Sequence, residues 1–398
     1  MRVGVFLAGF DPKRGGGYTF QSDVFRAFAT EAASSHHTFV ALCDSDAAIK
    51  FAVACGVRTV RVAIYAARER LRDVLKRELP ISRRLLRRPS RIERAARKAD
   101  VQLVWYLDGG VYEAMDLPYI ATVWDLMHRS HPWFPEVSSS GLWYGRDEAT
   151  RFFLQRAAYV IVGTDAGAEE VREFYRVPAA RLRKLPHPTP SYALHAAAGQ
   201  DKARVVQLGL EEPFLLYPAQ FWPHKNHATL VLALARLRDK HNRPMQLALA
   251  GSDKGTLSYV RHLAKAHGLD SQVSFLGFVS QDDLIALYRR ASALVYPSFC
   301  GPENLPPLEA FALGCPVIAA DIPGAREQLE DAAILVDPGD PGKFADAING
   351  LLSDQELAQR LINRGRARAA RWTGREFVRG IFAILDAFEG VRRSWADQ

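Results

Sequence analysis

Short apolar runs and helix-period patterns alternate along the first half of the chain. The runs Arg2–Ala8, Thr38–Asp44, Val101–Leu107, Tyr119–Trp124 and Tyr159–Thr164 are β-branched or aromatic and too short for helices, so they predict strands. Between them, patterns such as Tyr18–Ala32 and Ala166–Phe174 predict helices. Such alternation implies parallel strands joined by crossover helices. A Pro- and Ala-rich stretch, Pro186–Gln200, reads as a linker, and the pattern then restarts. Strands are predicted at Phe214–Pro218, Met245–Ala250, Val273–Leu276, Ala293–Pro297, Pro316–Ala320 and Ala333–Val336, with helices at Asn226–Asp239 and Leu257–Gly268. From Pro341 onward the pattern is helical.

The expected fold class is α/β, with two doubly wound, Rossmann-like domains facing a central cleft. Residues 1–190 form the first domain, 191–212 a linker, 213–375 the second domain, and 376–398 a helical tail expected to pack back on the first. Ligands of such sheets bind beyond the carboxyl ends of the strands, which places the site in the cleft.

Composition narrows the class. A chain of 398 residues, 48% hydrophobic and 24% charged, fits a globular protein of two cores. No stretch approaches the apolar length of a membrane span. The opening residues read as a strand and not a signal peptide. Cys43, Cys55, Cys300 and Cys315 lack paired short spacing, which argues for a reducing compartment and against a zinc or disulfide framework. The net charge of +8 is concentrated in one place. Residues 68–98 hold thirteen Lys and Arg against four acids, a surplus of nine that leaves the remainder at −1. An arginine-rich helix there would lie on an anionic membrane surface. A solvated face ranks a close second to that membrane surface, and nucleic acid ranks last because no aromatics interleave the arginines.

Four motifs carry candidate chemistry. Gly15, Gly16 and Gly17 lie between strand one and the first helix, where exposed amides attract phosphate or carboxylate; a surface turn is the alternative. Lys225, with Gln220 on the same loop, enters a helix just after the first strand of the second half, placed to neutralise a diphosphate. The stretch 123–136, "VWDLMHRSHPWFPE", offers Asp125 and His128 for acceptor orientation or proton handling, against a structural histidine. Glu303 and Glu309 sit six apart in "GPENLPPLEAFALGCPV". The "CDSD" run at 43–46 is a weak metal signal, so no metal is expected.

"FWPHKNH", "FLGFVSQDDLIALYRRASALVYPS" and "LPPLEAFALGCPVIAADIPGAREQL" resemble the second domain of the retaining GT-B glycosyltransferases known as group 1, over nearly all of residues 213–340. The resemblance implies a GT-B fold and a second domain that reads a sugar nucleotide. It implies that Glu309, the second glutamate of the family's pair, binds the ribose. The first glutamate should stand at Gly301, so Glu303 is two positions late. Either the Pro302 bend swings Glu303 into the sugar pocket, or Asn304 and neighbouring amides recognise the sugar. Lys225, the amides of Asn304 and Leu305 and the Gly15–Gly17 loop would bind phosphate, with Gln220 where the family commonly has an arginine. Backbone at Gly277, Phe278 and Val279 would hold the base. Trp124 replaces a first-domain histidine, leaving Trp124, Asp125 and His128 on the acceptor side; Asp125, His128, Lys225 and Glu303 are the catalytic candidates.

The resulting expectation is a retaining, metal-independent hexosyltransferase that needs no cofactor. It would move mannose or another hexose from a GDP- or UDP-sugar to a glycan or lipid-linked acceptor in bacterial surface polysaccharide synthesis. It would be cytoplasmic or peripheral at the inner face of the membrane, with no nucleic-acid partner. The rivals are a catalytically impaired nucleotide-sugar-binding module, or an epimerase or phosphorylase on the same fold.

Overall fold

Every strand predicted in the first half forms, and two short ones join at the sheet edges. The computed structural model describes residues 1–12, 15–63, 89–112 and 114–395. The first sheet comprises β1 (Arg2–Leu7), β2 (Thr38–Cys43), β3 (Thr59–Arg61), β4 (Leu103–Tyr106), β5 (Tyr119–Val123), β6 (Tyr159–Val162) and β7 (Leu182–Lys184). All pairings are parallel, in the order β3-β2-β1-β4-β5-β6-β7. The edge strands β3 and β7 escape the sequence pattern because each is three residues long and carries Arg or Lys at an exposed end.

The second sheet comprises β8 (Phe214–Pro218), β9 (Gln246–Ala250), β10 (Val273–Gly277), β11 (Ala293–Tyr296), β12 (Val317–Ala320) and β13 (Ala333–Val336). It is also parallel, in the order β10-β9-β8-β11-β12-β13. The winding direction reverses between β1 and β4 in one sheet and between β8 and β11 in the other. Those switch points open crevices at the carboxyl ends of the strands.

The longer helices are α1 (Gly16–Glu31), α2 (Asp46–Ala54), α3 (Arg91–Lys98), α4 (Leu142–Arg156), α5 (Asp165–Tyr175), α6 (His227–His241), α7 (Leu257–Ala266), α8 (Gln281–Arg290), α9 (Leu305–Leu313), α10 (Pro341–Ser353), α11 (Gln355–Arg371) and α12 (Gly374–Arg392). Side-chain caps start several of them: Ser45 for α2, Thr164 for α5 and Ser280 for α8 each accept a first-turn N–H. Thr373 and Glu376 close a capping box on α12.

That last helix belongs to the core of the first domain. Phe377, Val378, Ile381, Phe382, Leu385 and Phe388 are buried with Phe25, Phe28 and Trp105 beneath the first sheet. At about 1.5–3 kcal/mol for each large apolar side chain, this face outweighs any local propensity in holding the chain's end there. The stretch expected as a linker, 191–212, contains two short helices, Ser191–Leu194 and Asp201–Gln207. Its Val205 and Leu210 are buried in the core of the second domain. Of the basic segment, residues 68–88 lie outside the described residues. The remainder includes α3, which is capped by Ser90 and buries Ile92, Ala95 and Ala96 against the first sheet. Among the described residues no helix is long and apolar enough to cross a membrane.

Candidate active site

The two switch points face one another across a cleft of about 760 Å³. One wall comes from the loop after β1 and the start of α1, the loop after β5, and the segment after β7. The other comes from the loops after β8, β10 and β11 and the first turn of α9. Gly15, Gly16, Gly17, Trp124, Asp125, Gln220, Lys225, Gly277, Phe278, Val279, Glu303, Asn304, Leu305 and Glu309 all line it.

His128 does not line the cleft. It is buried, with Nε2 2.7 Å from the Tyr175 hydroxyl, which itself donates to Asp147 at 2.8 Å. Since that hydroxyl has one proton, His128 Nε2–H donates to it. Burial, reinforced by Arg146, lowers the His128 pKa to about 4. Sequence spacing placed this histidine in the site; the chain turns into the short helix Met127–Ser130 and carries it into a structural hydrogen-bond chain instead.

Lys225 is the cation of the second wall. Its Nζ donates to the Tyr296 hydroxyl at 3.0 Å and to Asn304 Oδ1 at 3.2 Å, and lies 5.3 Å from the Tyr296 ring centre. Among the described residues no carboxylate pairs with it, so its charge is available to a ligand. Gln220 is anchored by Ser252 at 3.1 Å and accepts from Trp222 Nε1 at 3.1 Å. The Asn304 amide, expected to face phosphate, donates to Gln328 Oε1 at 3.0 Å, while Gln328 Nε2 returns a bond to Asn304 O. Pro306 and Pro307 have no N–H, which leaves Leu305 as the first open amide of α9. On the opposite wall Gly15, at φ 66°, turns the chain into α1, whose first amides belong to Gly16 and Gly17.

The two glutamates have different surroundings. Glu309 is 6% exposed, and its carboxylate accepts from the Tyr288 hydroxyl at 2.7 Å and from that of Tyr192. Burial raises its pKa, and the two hydroxyls act against that rise. Glu303 crosses the cleft. Its Oε1 accepts the backbone N–H of His187 at 2.6 Å, and its carboxylate packs so closely on Gly163 that a Cβ there would collide with it. Burial, only partly offset by that N–H and by Arg368, lifts its pKa to about 8. Glu303 bridges to the first domain, and Asn304 presents its side chain to Lys225 and Tyr296.

Several groups in the cleft were not foreseen. His187 follows β7, its side chain 11% exposed, with neither ring nitrogen hydrogen-bonded. It packs on Phe20 at 4.9 Å and Trp124 at 5.9 Å, and burial lowers its pKa to about 4. The Glu136 carboxylate bridges the domains to His224, 2.6 Å from Nδ1 and 3.1 Å from the backbone N–H. The Glu327 carboxylate accepts the N–H groups of Asp165 at 2.7 Å and Ala166 at 3.0 Å, capping α5 from the other domain. Proline flanks His187 on both sides of "LPHPTP", and that composition signalled a linker and nothing more.

Facing Rossmann-like sheets thus place a cation, helix-end amides and a buried carboxylate together at the switch point. Residues 200–368 match the family described as Glycosyl transferases group 1. The D-inositol 3-phosphate glycosyltransferase of Nocardia farcinica is 27% identical over 260 residues, covering 62% of this chain and 57% of that protein. The O-antigen chain mannosyltransferase RfbU of Salmonella typhimurium is 32% identical over 163 residues, covering 41% of this chain and 45% of that protein. The chain thus spans about half the length of these curated relatives. Among solved structures, Anabaena Alr3699/HepE in complex with UDP and glucose superposes with a TM-score of 0.69 at 17% identity, covering 97% of this chain and all of that one. That likeness establishes the fold.

Proposed function

We propose that the protein is a retaining, metal-independent glycosyltransferase. It takes a hexose, mannose among the candidates, from a GDP- or UDP-sugar and transfers it to a glycan or lipid-linked acceptor in surface polysaccharide assembly. The observation that carries the reading is Lys225, a cation with no carboxylate partner among the described residues, held by Tyr296 and Asn304 where the β8 and β11 loops meet the cleft. The transferase names of the relatives support the same class.

Glycosyl transfer breaks the bond between the anomeric carbon and a diphosphate oxygen, and forms one from that carbon to an acceptor hydroxyl. Negative charge grows on the diphosphate, and Lys225 with the open amides of α9 and α1 stabilises it there. The acceptor's proton leaves to the departing phosphate oxygen on the same face, which retains configuration. Glu309 accepts the ribose hydroxyls, and Gly277–Val279 hold the base through backbone. Trp124 and Asp125 orient the acceptor on the opposite wall. Membrane contact through residues 68–98 rests on their charge surplus alone.

The test supplies UDP- and GDP-hexoses with and without a lipid-linked or glycan acceptor, and measures free nucleoside diphosphate and product linkage. Release that depends on the acceptor, with retained configuration, is expected. Tight binding without turnover for any pair would establish the impaired binding module instead. Interconversion of the donor sugar without an acceptor would establish an epimerase.

A further inference from the structure

One cluster of ligand-type side chains lies away from the cleft and takes no part in the chemistry above. His36 and His37 lead into β2, and Asp386 stands on α12; none of the three lines the cleft. Their ligand atoms all lie within 4.8 Å of one another. His37 Nε2 is 3.0 Å and His36 Nδ1 is 3.7 Å from the same oxygen, Asp386 Oδ1.

We propose that His36, His37 and Asp386 form a zinc site that clasps the terminal helix to the entry of β2. Zinc bonds of about 2.0–2.2 Å in a tetrahedron set neighbouring ligand atoms roughly 3.3 Å apart. The two distances to Asp386 Oδ1 straddle that spacing, and the remaining ligand-to-ligand distance is within 4.8 Å, so zinc binding draws the three side chains together. The His37 side chain is fully buried, and its Nε2 makes no hydrogen bond although Asp386 Oδ1 lies 3.0 Å away. Two imidazoles and one carboxylate are a donor set that zinc accepts, with water taking the open position.

The surroundings fit as well. His36 Nε2 lies 2.8 Å from Glu389 Oε2, so coordination through Nδ1 leaves Nε2–H to donate to a carboxylate, the arrangement that orients metal-bound imidazoles. Glu389 is fixed in turn by the Met1 nitrogen at 3.0 Å and Arg393 at 3.3 Å. The Met1 nitrogen also lies 3.2 Å from His37 Nδ1. With zinc on Nε2 that nitrogen carries the proton, so the two donors must move apart, and the Met1 ammonium then bonds to Glu389 alone. The occupied site ties residue 36 to residue 386 without touching the cleft.

Calorimetric titration of zinc chloride into the chelator-stripped full chain tests this. One zinc per chain is expected, bound about tenfold or more weaker in His36→Ala and in Asp386→Asn. Both side chains are more than half exposed, at 60% and 54%, so neither change threatens folding. Zinc should also raise the melting temperature of the wild type, reversibly with chelator, and raise that of the variants less at the same zinc concentration. The absence of one-to-one binding, or binding that both variants retain in full, overturns the site and leaves these groups as an ion-pair clasp.

Discussion

Glu303→Gln isolates what it costs to hold a carboxyl group across the cleft. The residue is 8% exposed, and burial lifts its pKa from 4.5 to about 8. A folded-state pKa above the unfolded one means that the folded protein holds the proton longer. The associated stability is fully present below about pH 4.5 and is lost as pH climbs through the folded pKa of about 8. At 1.36 kcal/mol per pKa unit, a gap of 3.5 units would remove about 5 kcal/mol in full, of which about 4 kcal/mol falls between about pH 5 and pH 9. Glutamine keeps an oxygen to accept the His187 N–H and cannot ionise. Urea unfolding of both proteins across that range should therefore show E303Q gaining on wild type by about 4 kcal/mol, nearly all of it below about pH 8. Parallel stability curves would refute the reasoning, because they would mean that Glu303 titrates as it does in the unfolded chain and is not held against Gly163 and His187.

Lys225→Ala should weaken UDP or GDP binding by about tenfold or more in calorimetry and lower turnover further, with an unchanged circular dichroism spectrum. Gly163→Ala should destabilise by about 1–3 kcal/mol through its collision with the Glu303 carboxylate, and adding Glu303→Ala should recover part of that loss in a double-mutant cycle. Tyr288→Phe removes one of the hydroxyls that Glu309 accepts, and denaturant unfolding should show a cost of about 1–3 kcal/mol.

Most of the fold was legible because both sheets are parallel and covered by helices, so their strands are nearly continuous apolar runs. Phe214–Pro218 and Ala333–Val336 were read at their observed limits, and β1 and β2 to within a residue. What escaped was stabilised by tertiary contact and not by pattern. Strand β3 is held by pairing to Ala41, Leu42 and Cys43, and its own Thr59-Val60-Arg61 carries no signal. The helix Asp201–Gln207 lies in the stretch 191–212 expected as a linker, and Val205 and Leu210 were too few to show a buried face.

The cleft divides along a physical line. Groups that act from their own loop were legible: Lys225 follows β8, Asn304 precedes α9, and a strand-loop-helix pattern places both at a switch point. Groups whose environment is built by the other domain were not. His187 is positioned by Phe20 and Trp124, Glu136 by His224, and Glu327 by the amides that open α5. Glu303 combines the two cases. Its place in the loop was visible, but its carboxyl is shaped by Gly163 and the His187 amide, both on the facing wall. His128 is the converse, a residue in the right loop that a four-residue helix turns toward Tyr175. The bonds of Glu303, Glu136 and Glu327 all join the two domains, so the state of closure is itself part of the site. Under the proposed function, a donor that displaces the Glu303 carboxyl from His187 has to replace that bond, which would couple donor binding to domain closure at Glu303.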